Sequence, residues 1–233
     1  MFPPLKRRLI NQYARDAFVR RQLSLIPAGS LILDAGSGTQ PYRPDCGHLT
    51  YRAQDFGGYT TDDKKMLGCE GAGGKGGFRY GKLDYVGDIW AIDEKDGSFD
   101  AILCSEVLEH IPYPIDALRE FSRLLKPGGT LILTAPSNCL RHMDPYFFYS
   151  GFSDRWFERF LPELGFDIGI LEPVGDYYSW MAVEVNRTSD SHSFLAKMIL
   201  APAFFYYAFK RKTKRSVDTL CTGYHVVARK RAG

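Results

Sequence analysis

The segment LILDAGSGTQP, residues 31–41, runs from a short apolar stretch into a turn with two glycines one residue apart. Leu31-Ile32-Leu33 read as a buried strand with Asp34 at its end. Gly36 and Gly38 let the backbone approach a ligand with no Cβ in the way and offer amide N–H groups where the chain turns toward its next element. A dinucleotide fingerprint would need a third glycine at position 41, where Pro41 stands, which counts against a nicotinamide-type pyrophosphate site. Two glycines suit a plain tight turn equally well, so the residues at other strand ends must decide.

On either side of this segment, strand and helix signals alternate. Residues 5–25 predict an amphipathic helix ending before Pro27-Ala28-Gly29, and strand-like runs recur at 49–54, around 83–86, at 99–104 and at 130–135. Ile115, Leu118, Phe121 and Leu125 fall at helical spacing, and Lys126-Pro127-Gly128-Gly129 stops that helix. A further helix is predicted from Ser153, its cap, to Leu164 before Gly165, followed by strands at 166–171 and 224–228. This βαβ alternation with continuous apolar strands predicts an α/β fold with a parallel sheet covered on both faces. Asp55 ends the second strand 21 residues after Asp34, and Asp88 ends the third. Because ligands of open α/β sheets bind outside the carboxyl ends of strands, Asp55 is a candidate for the two hydroxyls of a ribose and Asp88 for an exocyclic amine.

Composition bounds the rest. A chain of 233 residues with 45% hydrophobic side chains buries one substantial core, so a single domain over 1–233 is expected and disorder is excluded. The net charge of +3 hides an uneven distribution. Residues 1–21 carry six basic side chains and one acid, residues 210–233 carry eight and one, and the stretch between carries 16 basic and 25 acidic. An acidic body with basic ends does not fit a dedicated nucleic-acid binder. Five cysteines without a CxxC pair suit a reducing compartment, and the basic N-terminal stretch has no apolar run behind it, so no secretory signal and a cytoplasmic location are expected. Seven of the fourteen residues from Gly68 to Gly81 are glycine with no GK[ST], which predicts a mobile loop and no P-loop.

The stretches LDAGSGTQ, Asp55, VGDIWAI and DGSFDAILCSEVLEHIPYPIDALREFSRLLKPGGTLILTAP resemble, in order and spacing, the class I S-adenosylmethionine-dependent methyltransferases, in particular the type 11 small-molecule and glycan branch. The resemblance covers roughly residues 29–136, with Gln40 where a third glycine is common. It implies a Rossmann-like three-layer sandwich whose seven-stranded, mostly parallel sheet has an antiparallel last strand. It also implies that S-adenosylmethionine is the cofactor, leaving as S-adenosylhomocysteine. Asp34, Gly36, Ser37 and Gly38 would surround its methionine part, Asp55 would hold the ribose, and Phe56 would lie against the adenine. Asp88 and the amide of Ile89 would read the adenine edge, with Ser105 and Glu106 near the sulfonium. Glu106 and Glu109 would equally serve as caps of the following helix. A degenerate, non-catalytic binding protein is the alternative that Gln40 and the weakly marked base leave open.

For the transfer itself, His110 and His142 are the candidate bases, and His48, His192 and His225 have less to recommend them. The fourth strand ends in CSEVLEH, without the Asn/Asp-Pro-Pro-aromatic tetrapeptide of amino-methylating enzymes. Cys104 lacks a nucleophile's context, and no acidic trio marks the ends of the fourth and fifth strands, so no metal is expected. O-methylation of a small molecule or saccharide is the resulting expectation. Tyr146, Phe148 and Tyr149, with Phe147 and Phe152, would either wall the acceptor pocket or pack the next helix. His142, Pro145 and Tyr149-Ser150 resemble a pattern of glycan-directed members, although Phe148 replaces an expected Arg. The aromatic and basic insertion 177–222 holds a sixteen-residue apolar run, 194–209, that leads into KRKTKR, 210–215. That run is too short to span a bilayer and reads either as a lid over the site or as a segment lying on an anionic membrane, the latter making the protein peripheral at the inner membrane face.

Overall fold

The computed structural model describes residue 9 and residues 11–59, 79–190 and 194–232. The mobile loop expected over 68–81 lies, up to residue 78, outside the described residues, as does His192. Seven strands form one sheet: β1 (Leu31–Ala35), β2 (Thr50–Asp55), β3 (Tyr85–Val86), β4 (Phe99–Ser105), β5 (Leu125–Pro136), β6 (Phe166–Val174) and β7 (Gly223–Lys230). Their order is β3-β2-β1-β4-β5-β7-β6. Neighbours from β3 to β5 pair in parallel, and β7 runs antiparallel to both β5 and β6, as the resemblance implied.

The central strands are apolar on both faces, and their two-residue period sorts them into two layers of core. Leu33, Ile102, Cys104, Leu131 and Leu133 point to one face, where they pack with Leu118 and Phe121 of α2 (Pro114–Leu124) and Phe157 and Leu161 of α3 (Asp154–Glu163). Ile32, Ala101, Leu103 and Ile132 point to the other, against Val19 and Leu23 of α1 (Asn11–Ser24). The three-layer sandwich follows directly from that alternation. In α2, Ala117, Leu118, Phe121 and Leu124 form a buried stripe at helical spacing. The strand begins at once at Leu125, the residue expected to be the last of that stripe, and Gly128 takes a left-handed φ of 77° in the turn. The Ser153 hydroxyl accepts from the Trp156 amide at the start of α3, the capping role expected of it.

Between β6 and β7, the insertion forms α4 (Tyr177–Asp190), α5 (Phe194–Phe209) and α6 (Lys214–Thr219). A small core of Leu9, Ala182 and Ala208 joins α4 to α5. Thr213 and Ser216 make a reciprocal capping box at α6, and Ser216 Oγ donates to Asp176 Oδ2 at 2.7 Å, which ties α6 to the start of α4.

Candidate active site

The chain order reverses between β1 and β4, so the loops that leave their carboxyl ends splay apart and open a crevice. A cavity of about 460 Å³ occupies it, a size typical of small-molecule sites. One rim is the turn after β1. Gly36 has φ of 73°, and a Cβ there would lie 2.5 Å from Val107 Cγ2, so glycine is required both by conformation and by space. The Gly36 amide donates to the carbonyl and side-chain oxygens of Gln54, at 3.0 and 3.1 Å, and Gln54 Nε2 donates to the Gly87 carbonyl. Gln54 thereby fastens the loops of β1, β2 and β3 together. Asp55, buried at the end of β2, accepts from the amides of Gly38 (2.9 Å) and Gly57 (3.3 Å). Burial pushes its carboxyl above the usual range, against the pull of those amides. Phe56 meets Tyr59 and Tyr146 edge-on, and Asp88 and Ile89 complete this rim.

Gln40 is also left-handed, with φ of 58°, which accounts for glycine being common at its position. Its side chain compensates by bridging: Nε2 donates to the Lys82 carbonyl at 2.8 Å and Oε1 accepts from Arg43.

The opposite rim comes from the end of β4 and the segment after β5. Glu106 holds a left-handed φ of 55° while its amide donates to the Thr134 carbonyl. Its carboxylate accepts from the Thr134 hydroxyl at 3.0 Å and lies 3.6 Å from an Arg15 guanidinium nitrogen of α1. A short 3-10 turn, Leu108–His110, follows, and α2 begins only at Pro114, so neither Glu106 nor Glu109 caps it. Glu109 is instead buried, and desolvation together with the nearby Glu106 pushes its carboxyl well above the ordinary range. His110 and His142 face each other edge-on with ring centres 4.7 Å apart. Burial, with His142 adding to it, pulls the His110 imidazole down to about 4, although the Tyr146 carbonyl favours its protonated form. Tyr146 and Phe148 line the same side.

Several expected contributors stand behind this wall and do not line the cavity. Asp34 is buried under the glycine turn, accepts from the Tyr51 hydroxyl at 2.5 Å, and is pushed up to about 7 by desolvation. Ser37 is buried with its hydroxyl unpartnered, and Ser105 shares a hydrogen bond with the Thr134 hydroxyl at 2.9 Å. The Tyr149 hydroxyl donates away to the Pro112 carbonyl. Among the described residues, those that line the cavity come from 36–148 and none from 177–222, the insertion expected to act as a lid or to meet a membrane. Cys104 is fully buried with its thiol pushed well up, in keeping with a packing role. The sequence reading missed Gln54, whose role is to brace loops through its amide, and Trp90 and Met143, apolar side chains that line the cavity close to Asp88 and His142.

Comparison with known proteins adds the family. A family model described as "Methyltransferase domain" matches residues 33–133, which carry the glycine turn, Asp55, Asp88 and the strand β4 rim. Residues 33–133 thus carry a methyltransferase domain, in keeping with the family that the sequence resembles. A ubiquinone biosynthesis O-methyltransferase of Xanthomonas campestris is 56% identical over 53 residues, which are 23% of this chain and 21% of that protein. The chain therefore matches only about a fifth of the length of such relatives. Among solved structures, phosphoethanolamine N-methyltransferase 2 of Haemonchus contortus, in complex with S-adenosyl-L-methionine, has a TM-score of 0.53 at 16% identity, covering 96% of this chain and 53% of that one. A SAM-dependent methyltransferase from Methanosarcina mazei has a TM-score of 0.53 at 14% identity, covering 90% and 96%. A [4+2]-cyclase shares the fold as well, with a TM-score of 0.54 at 19% identity over 95% of this chain and 82% of its own. At these identities the likeness is one of fold, and methyltransferase-family folds evidently host more than one reaction.

Proposed function

We propose that this protein transfers the methyl group of S-adenosylmethionine to an oxygen of a small molecule or saccharide. One observation carries the reading: a single cavity at the sheet's switch point has a glycine-and-carboxylate rim suited to a nucleoside and, facing it, an aromatic and imidazole rim. Gly36, Gly38 and the ring of Phe56 would hold the cofactor's length, Asp55 its ribose, and Asp88 with the Ile89 amide its adenine. Asp34, Ser37 and Ser105 would act from behind, shaping the turn and the end of β4. The acceptor would enter along Tyr146 and Phe148, whose rings suit the apolar face of a sugar or phenol. Transfer is an in-line displacement in which the acceptor oxygen bonds to the methyl carbon as the C–S bond gives its electron pair to sulfur. Most of the rate then comes from alignment, and the hydroxyl proton leaves on the side of His110 and His142. The O-methyltransferase name of the Xanthomonas protein supports oxygen as the acceptor atom.

Calorimetric titration with S-adenosylhomocysteine tests the cofactor half, and absence of binding would sink it. Label transfer from tritiated S-adenosylmethionine across sugar nucleotides, lipid-linked saccharides and small phenols tests the acceptor half. Incorporation into protein or nucleic acid alone would overturn the acceptor class.

We also infer that the insertion rests on an anionic membrane. No helix among the described residues is long and apolar enough to cross one. On α5, however, Phe194, Leu195, Met198 and Ile199 are each more than 60% exposed, and the basic run 210–215 follows directly. Since the insertion does not line the cavity, an interfacial role explains its exposed apolar residues better than a lid. Co-sedimentation with vesicles containing anionic lipid, and not with neutral ones, is expected; equal partition between the two would contradict it.

A further inference from the structure

On the acceptor rim, Glu109, His110 and His142 each bring one donor atom to within 4.8 Å of the others. The turn Leu108–His110 supplies the first two. His142 is carried there by the segment after β5, where Met143 turns back with φ of 56° and Arg141 braces Asp144 at 2.6 Å.

The hydrogen bonds fix what these groups present. His110 Nδ1 lies 2.6 Å from the Tyr146 carbonyl and His142 Nδ1 lies 2.8 Å from the Leu140 carbonyl. A carbonyl only accepts, so each Nδ1 carries the proton and each Nε2 exposes a lone pair. His110 Nε2 stands 3.6 Å from Glu109 Oε1, too far for a hydrogen bond, and Glu109 Oε2 is buried with no partner. His110 Nε2 thus faces a buried carboxyl group one of whose oxygens has no hydrogen-bond partner, and His142 brings a ring nitrogen to the same place. That arrangement is costly in a protein interior, and a cation relieves it. Imidazoles whose outer N–H groups are anchored on backbone carbonyls are also the usual form of metal-binding histidines.

We propose that Glu109, His110 and His142 bind one divalent first-row transition-metal ion at the edge of the cavity. Two imidazoles and one carboxylate favour such ions over Mg²⁺ or Ca²⁺, and three protein ligands leave positions open. Both histidines line the cavity, so the open side faces the acceptor. The ion would position the acceptor's oxygen and ease loss of its proton to solvent water. This role in catalysis rests on the methyl-transfer reading above, whereas metal binding itself does not. The metal-free expectation from sequence considered only acids at strand ends, and these ligands lie beyond them.

The test uses the full chain stripped with chelator and then titrated with Zn²⁺, Mn²⁺ and Co²⁺. About one ion per chain is expected, with a Co²⁺ visible spectrum showing nitrogen and oxygen ligation. His142→Ala, at a half-buried position, and the nearly isosteric Glu109→Gln should each weaken binding about tenfold or more, with S-adenosylhomocysteine affinity in metal-free protein unchanged. Substoichiometric binding, or equal affinity in both variants, would overturn the site. Binding of metal without S-adenosylhomocysteine would leave the site standing and overturn the cofactor reading. Full turnover in chelator would overturn the catalytic role.

Discussion

The two rims of the cavity are built by opposite rules. The rim after β1 is mostly backbone: amides of Gly36 and Gly38, carbonyls of Gln54 and Gly87, and one carboxylate clamped by two amides. The facing rim is mostly side chain, drawn from 106–112 and 142–148, and two of its residues, Glu106 and Met143, hold left-handed backbone. A backbone rim tolerates little change but serves any cofactor of one shape. A side-chain rim can be rewritten residue by residue, which is where the acceptor can vary between relatives.

The sharpest way to break this contrast is Gly36→Val. With φ of 73° and Val107 2.5 Å from the new Cβ, the turn must deform, and S-adenosylhomocysteine affinity should fall at least ~100-fold, about 3 kcal/mol, by calorimetric titration. Retained affinity would mean that the turn does not carry the cofactor.

Buried groups behind the rims should show opposite responses to pH. The folded chain holds the Asp34 proton up to about 7, well above the ordinary aspartate value of about 3.9, so this group's ionisation removes stability as pH rises between those values. His225, the cross-strand partner of Thr134, is stacked on Phe18. Burial, and secondarily Arg15, lowers it to about 4, so the unfolded chain takes up its proton first and stability falls as pH drops from 6.5 toward 4. The two trends partly cancel in the intact chain. Asp34→Asn should remove the loss on the alkaline side and His225→Phe the loss on the acid side, each on the order of 2–3 kcal/mol in urea unfolding from pH 4 to 7.5. Parallel curves for both variants would refute the assignment.

Asp55→Ala should weaken S-adenosylhomocysteine about 10- to 100-fold through loss of charged hydrogen bonds to a ribose. The smallest effect belongs to the other rim. Phe148→Ala, at a side chain 48% exposed, should leave cofactor affinity within about twofold while raising the acceptor's KM by roughly threefold to tenfold. A larger effect on the cofactor than on the acceptor would erase the distinction between the rims.

Most of the sheet was legible because strands declare themselves locally. Leu31-Ile32-Leu33, the run 99–104 and the helical stripe Leu118–Phe121 are apolar where each element must be buried. Gly36, Gly38, Asp55 and Asp88 were legible for the same reason, since each stands at a strand end where the fold admits ligands. Asp34 and Ser37 show the limit of that reasoning: position along the chain placed them at the site, but the side chains turn under the loop. The order of the last strands and the position of the insertion away from the cavity depended on pairing between distant segments, which local pattern does not encode.

The residues alone thus determined the parallel α/β body, the glycine turn and the acidic strand ends, because burial periodicity and backbone conformation act within a few neighbours. Only the tertiary structure decided that Glu109, His110 and His142 meet. Their donor atoms come together across a gap of 32 residues because the loop after β5 folds back onto the turn after β4, and the Tyr146 carbonyl that His110 Nδ1 meets arrives only with that fold.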